Sequence, residues 1–150
     1  MAIERVSVLD LEGVSRLPGD PATAVLSITD PDVEAPLAEG FAGVLRLSFH
    51  DVDDDALDLG PPLALPPDVV PMDAHQAQRL VAWTDALARE ESGYRVVAHC
   101  HAGVSRSTAI AWFVHQRYGA ELRWRPYFAP NRRVLRLLSE VSGQQLIDPG

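Results

Sequence analysis

Two rhythms of apolar and polar residues alternate along this 150-residue chain. Short, densely apolar runs recur at Arg5–Leu9 (RVSVL), Ala24–Thr29 (AVLSIT), Gly43–Phe49 (GVLRLSF) and Tyr94–Ala98 (YRVVA). Their length and β-branched content predict strands. Other stretches place apolar residues at helical spacing. In Asp73–Glu91 these are Ala77, Leu80, Val81, Thr84, Leu87 and Ala88, with Asp73 as N-cap and Gln76 positioned to complete a capping box. Ser107–Tyr118 is apolar almost all round, which predicts a buried helix, and Gly119 suits its stop. Arg132–Val141 lines up Val134, Leu135, Leu137, Leu138 and Val141, with Asn131 as cap and Gly143 at the exit.

The segments between are punctuated. Leu11–Leu17 has room for one helical turn, and Asp30-Pro31 stops the second strand. Residues 30–40 read as a loop or short irregular helix, and 120–130 as a connector with Pro126 and Pro130. His50–Pro71 is the least regular part, with an acidic run (Asp51, Asp53, Asp54, Asp55) before a proline-rich stretch. A long irregular segment inside a compact domain is often a lid or binding loop, although most acidic runs are solvated turns. Strands alternating with helices imply an α/β fold: one domain over residues 1–150, with a central, mainly parallel sheet flanked by helices. The Tyr94–Ala98 strand is expected at the centre, which puts the loop after it at the carboxyl edge, where α/β sheets bind ligands.

Composition narrows the function. A 47% hydrophobic share at this length supports a full core, and no apolar run approaches the roughly 20 residues of a membrane span. The start, MAIERVSVLD, has no basic region leading into a long apolar core, and the single cysteine cannot form an internal disulfide. A cytoplasmic location is therefore expected. The net charge is −8, and every basic residue is arginine. An acidic surface argues against nucleic-acid and anionic-membrane partners. The histidines and the cysteine show no metal-ligand spacing, and neither metal nor cofactor is expected.

The loop His99-Cys100-His101-Ala102-Gly103-Val104-Ser105-Arg106-Ser107 concentrates the chemistry. It is short and built of small residues, so successive amides can form an anion-binding nest. It opens onto a helix N-terminus, where free N–H groups and the macrodipole favour negative charge. The planar fork of Arg106 matches two phosphate oxygens, and the same positive field favours the thiolate, the nucleophilic form of Cys100.

HCHAGVSRS resembles the Cys-x5-Arg-Ser/Thr signature of the cysteine-dependent tyrosine and dual-specificity protein phosphatases. The resemblance implies a dual-specificity-phosphatase-like fold and a phosphocysteine intermediate. It implies Cys100 as nucleophile and Arg106 as phosphoryl binder. The loop backbone of His101, Ala102, Gly103, Val104 and Ser105 would hold phosphate oxygens. Ser107 would bond the leaving thiolate, and His99 would support the thiolate and the loop. Arg125-Pro126 and Pro130-Asn131, followed by Val134, Leu135 and Leu138, resemble the segment after the signature in dual-specificity enzymes. LRLSFHDV, AHCHAGVSRSTA and PNRRVLRLL together are similar to a bacterial branch of predicted tyrosine phosphatases.

The leaving group of such a reaction needs a proton, which a positioned carboxylic acid supplies. The family takes it from an aspartate after an upstream strand, which here points to the run after Phe49. Asp51 is the first choice, Asp53 the next, with Asp54 and Asp55 also open. The expected substrate is a phosphorylated protein, phosphotyrosine first, or a small phosphomonoester. Trp124, Tyr127 and Phe128 are candidates for an aromatic pocket wall. Asn131 reads as a structural cap, and His75 and His115 as surface or core residues. Two alternatives stand beside the phosphatase: a non-catalytic phosphate-binding module, and an arsenate-reducing or sulfur-transfer enzyme. Arsenate reduction would need an external thiol, because the chain has no second cysteine.

Overall fold

The computed structural model describes residues 3–53, 68–123, 128–147 and 149. The apolar runs form strands β1 (Ile3–Leu9), β2 (Thr23–Thr29), β3 (Gly43–Ser48) and β4 (Tyr94–His99). The helices are α1 (Leu11–Ser15), α2 (Ala74–Ala88), α3 (Arg106–Tyr118) and α4 (Arg132–Ser142). The capping box of Asp73 and Gln76 is present on α2, and the Asn131 side chain accepts from Val134 N at the start of α4. The α2 helix ends at Ala88, short of the expected Glu91.

One correction falls in the connector, where Glu121–Arg123 forms β5. It pairs with β1 in the register Arg5↔Glu121, Val6↔Leu122, Ser7↔Arg123. Three residues with one apolar position carry no readable period, and their charges suit an edge strand. The sheet is parallel at every described pairing, in the order β3-β2-β4-β1-β5, in agreement with the expected mainly parallel α/β sheet.

β4 is the middle strand, and its run from Val96 to His99 is buried. Alternate residues serve opposite faces of the sheet. Val6, Val8, Leu26, Ile28, Leu47, Val96 and Ala98 meet Leu80, Ile110, Phe113 and Leu138 in the main core under α2, α3 and α4. On the other face Val14 of α1 packs with Val25 and Val97, and Leu9, Leu17, Leu37 and Phe41 close around them. Each fully buried aliphatic side chain contributes about 1.5–3 kcal/mol to holding these layers. No helix among the described residues is long and apolar enough to cross a membrane.

The order β3-β2-β4 sets three carboxyl ends side by side. Residues just after each of these strands therefore converge at one edge, and the loop from Cys100 to Ser105 lies there.

Candidate active site

The loop after β4 is shaped by glycine and by outward-facing carbonyls. Gly103 has φ 71°, and a Cβ there would lie 3.0 Å from the Leu9 carbonyl and 3.1 Å from Asp10 N. Only glycine fits both the left-handed backbone and the close approach to the end of β1. The carbonyls are tied down from outside: His101 O by Leu11 N at 3.0 Å, Val104 O by Ala129 N at 3.0 Å, and Ser105 O by Asn131 N at 3.0 Å. Thr108 Oγ1 adds bonds to Val104 O and Ser105 O. Among the described residues, none of the amides from His101 to Ser107 donates to a protein acceptor. The loop thus spends its acceptors on the scaffold and keeps its donors free.

Cys100 is 2% exposed, and its Sγ lies 3.1 Å from Ser107 Oγ. Arg106 is 5% exposed. Its Nη1 donates to Asp30 Oδ1 at 2.8 Å and to Phe49 O at 2.7 Å, while its buried Nε has no hydrogen-bond partner among the described residues. A buried, unpaired guanidinium N–H is costly and calls for an acceptor. The guanidinium is therefore clamped at one end and unsatisfied at the other.

His99 is fully buried. Its Nδ1 lies 3.3 Å from Cys100 O, which can only accept, so Nδ1 carries the proton. Nε2 is then the acceptor for the Ser27 hydroxyl at 2.6 Å. Burial pushes the His99 pKa down, and the nearby charges of Arg46 and Arg106 push the same way. The imidazole is a neutral brace linking β2 to the cysteine peptide.

Asp51, on the segment after β3, meets the loop. Its Oδ1 accepts from Ser105 Oγ at 2.7 Å and from Asn131 Nδ2 at 2.7 Å. The Ser105 hydroxyl makes no cap bond on α3. Asp53 turns elsewhere, its Oδ2 accepting from Arg132 N at 3.2 Å. Asp54 and Asp55 lie outside the described residues, as do Trp124 and Tyr127. Phe128 packs edge-on against Trp112. His101 and Ala102 are exposed, Gly103 is buried, and Val104 and Ser105 are half-buried. His115 Nδ1 donates to Ala120 O at 2.7 Å from the side of α3, and His75 is exposed on α2.

Three groups of the site are not legible in the linear chain: there Asp30 reads only as a strand stop, Ser27 only as a strand residue, and Asn131 only as a cap. The available signal was position: Asp30 follows β2 directly, at the same sheet edge as the loop after β4. Among the described residues, no three His, Cys, Asp or Glu side chains gather where they could hold a metal ion.

Comparisons of the chain with protein-family models, with curated proteins and with solved structures find no match.

Proposed function

We propose that this chain hydrolyses phosphomonoesters, phosphotyrosine in proteins foremost, as a member of the cysteine-dependent phosphatase superfamily with a dual-specificity-phosphatase-like fold. The supporting observation is a loop that carries a buried cysteine, has its His101, Val104 and Ser105 carbonyls tied outward, and leaves its amides and Arg106 Nε without protein acceptors among the described residues. Such a donor set suits a tetrahedral oxyanion and repels a cation. Each preorganised donor of this kind is worth about 2.7–4 kcal/mol at a transition state.

In the first step Cys100 Sγ attacks phosphorus. The S–P bond forms as the P–O ester bond breaks. The bond's electron pair passes to the leaving oxygen, which takes a proton from Asp51. In the second step water attacks phosphorus and gives its proton to the Asp51 carboxylate. The S–P bond breaks, its electrons return to Sγ, and phosphate leaves. Ser107 Oγ, beside Sγ, donates to the departing thiolate, and the neutral His99 holds the cysteine peptide in place. Neither metal nor organic cofactor enters. The substrate class is a phosphorylated protein or a small phosphomonoester, and the working compartment is the reducing cytoplasm, which keeps a single thiol usable.

The test is turnover of an aryl phosphate by the wild type and by Cys100→Ser. Phosphate release by the wild type alone supports the assignment. Phosphate binding with no turnover by either protein would make the chain a non-catalytic phosphate-binding module instead.

A further inference from the structure

We propose that Ser105 and Asn131 are positioning residues that both hold Asp51 Oδ1, so that Oδ2 alone carries the proton delivered to the leaving group. The inference rests on the phosphatase reading above and specifies how its acid is aimed. Ser105 Oγ and Asn131 Nδ2 each lie 2.7 Å from Oδ1. Among the described residues, Oδ2 accepts no hydrogen bond from these or any other group.

The Asn131 amide cannot turn over. Its Oδ1 accepts from Val134 N at 3.0 Å, so Nδ2 must face Asp51, and that nitrogen also donates to Val52 O at 3.1 Å. Asn131 is 1% exposed and Val52 is buried, whereas Asp51 itself is exposed. Asp53, two residues on, holds the next turn by accepting from Arg132 N. The segment after β3 is thereby fastened to the first turn of α4, and the carboxyl group of Asp51 stands open at the loop.

A carboxylic acid has one O–H. On Oδ1 that proton would face an N–H donor and compete with the Ser105 hydroxyl, whereas Oδ2 has no such neighbour. As the P–O ester bond breaks, the Oδ2 proton moves to the leaving oxygen. Charge then appears on a carboxylate already bonded at Oδ1. In the second step Oδ2 takes the proton back from the attacking water.

The experiment compares kcat for phenyl phosphate, whose leaving group needs a proton, with kcat for 2,4-dinitrophenyl phosphate, whose leaving group does not. Ser105→Ala should lower the ratio of the two by about tenfold, a part of the roughly 10²–10⁴-fold that a positioned general acid contributes, and Ser105→Thr, which keeps a hydroxyl, should restore it. Asp51→Asn should lower the ratio further. Ser105→Ala added to Asp51→Asn should lower it no more, because the serine acts through that carboxylate. Asn131→Ala should act like Ser105→Ala, but it also removes the α4 cap bond, so the serine variant, which removes no cap hydrogen bond, carries the test. An unchanged ratio in Ser105→Ala, or a full further loss on top of Asp51→Asn, overturns the inference alone. Failure of the wild type on both esters overturns the phosphatase reading and this inference together.

Discussion

Asp30 offers the most direct test of how the site is assembled, because its role can be read through stability as well as through turnover. Arg106 Nη1 has two acceptors, Asp30 Oδ1 at 2.8 Å and Phe49 O at 2.7 Å, and Asp30→Ala leaves one. The Arg106 side chain is 6% exposed and that of Asp30 is 47% exposed. A charge-assisted bond inside a protein is worth roughly 1.5–3 kcal/mol, and an exposed ion pair about 0.2–1 kcal/mol. With one partner buried and the other half in water, the loss should be about 1.5 kcal/mol, between those limits. For a chain of this size that lowers Tm by roughly 3–6 °C. The variant also carries a buried cation with no counter-charge, so phosphate should raise its Tm more than it raises that of the wild type. Asp30→Asn keeps an acceptor and drops the charge, and it should show a smaller loss of Tm with the same enhanced response to phosphate. Thermal unfolding with and without phosphate provides the assay. If Asp30→Ala unfolds within a degree of the wild type and responds to phosphate no more strongly, then Asp30 neither holds nor neutralises Arg106.

Other consequences follow from the same geometry. Gly103→Ala places a side chain at φ 71° and against the Leu9 and Asp10 backbone, so it should destabilise by at least about 1–2 kcal/mol in urea and weaken phosphate protection. Full stability here would mean that the loop conformation is not required. The His99 pKa is held below its ordinary value of 6.5 by burial, so the fold prefers the neutral ring. Its stabilising contribution is complete above about pH 6.5 and is lost as pH falls through the lower folded value, because the unfolded chain then binds the extra proton. Urea midpoints from pH 8 to 5 should decline, and His99→Gln should flatten that decline; parallel curves would count against a neutral brace. The lone thiol should be alkylated by iodoacetate more slowly when phosphate is saturating, with the label read by mass at Cys100. Equal rates with and without phosphate would place the anion elsewhere. Asp85 accepts from Arg117 Nε at 2.9 Å and Nη2 at 3.0 Å, which together with Tyr118 holds its carboxyl below 3.8. Its contribution is present above about pH 3.8 and is lost as pH falls further, so Asp85→Asn should make the acid-range slope in urea titrations shallower, and an unchanged slope would count against the pairing.

Much of this molecule was legible in linear order, because its rules are local. Periods of two and of 3.6 residues mark β1 to β4 and the helices α2 to α4, since each element buries a face that its own spacing defines. The cap at Asp73, the stop at Gly119 and the Cys100-to-Arg106 loop are equally local, for every group involved lies within a few residues of its neighbours. β5 was hidden for the complementary reason: Glu121–Arg123 is a strand only because β1 offers a free edge, and three residues have no period of their own.

Packing over long sequence distances decided the rest. Nothing near Asp30 reveals that it will meet Arg106, 76 residues away, or near Asn131 that its amide will reach Asp51, 80 residues away. Those meetings exist because β2 lies between β3 and β4, which brings three strand ends to one edge and seats the start of α4 beside them. Strand order follows from which apolar faces bury best together across the whole sheet. A residue's chemical type can therefore be read where it stands in the chain, while the partner that orients it exists only once the sheet has closed.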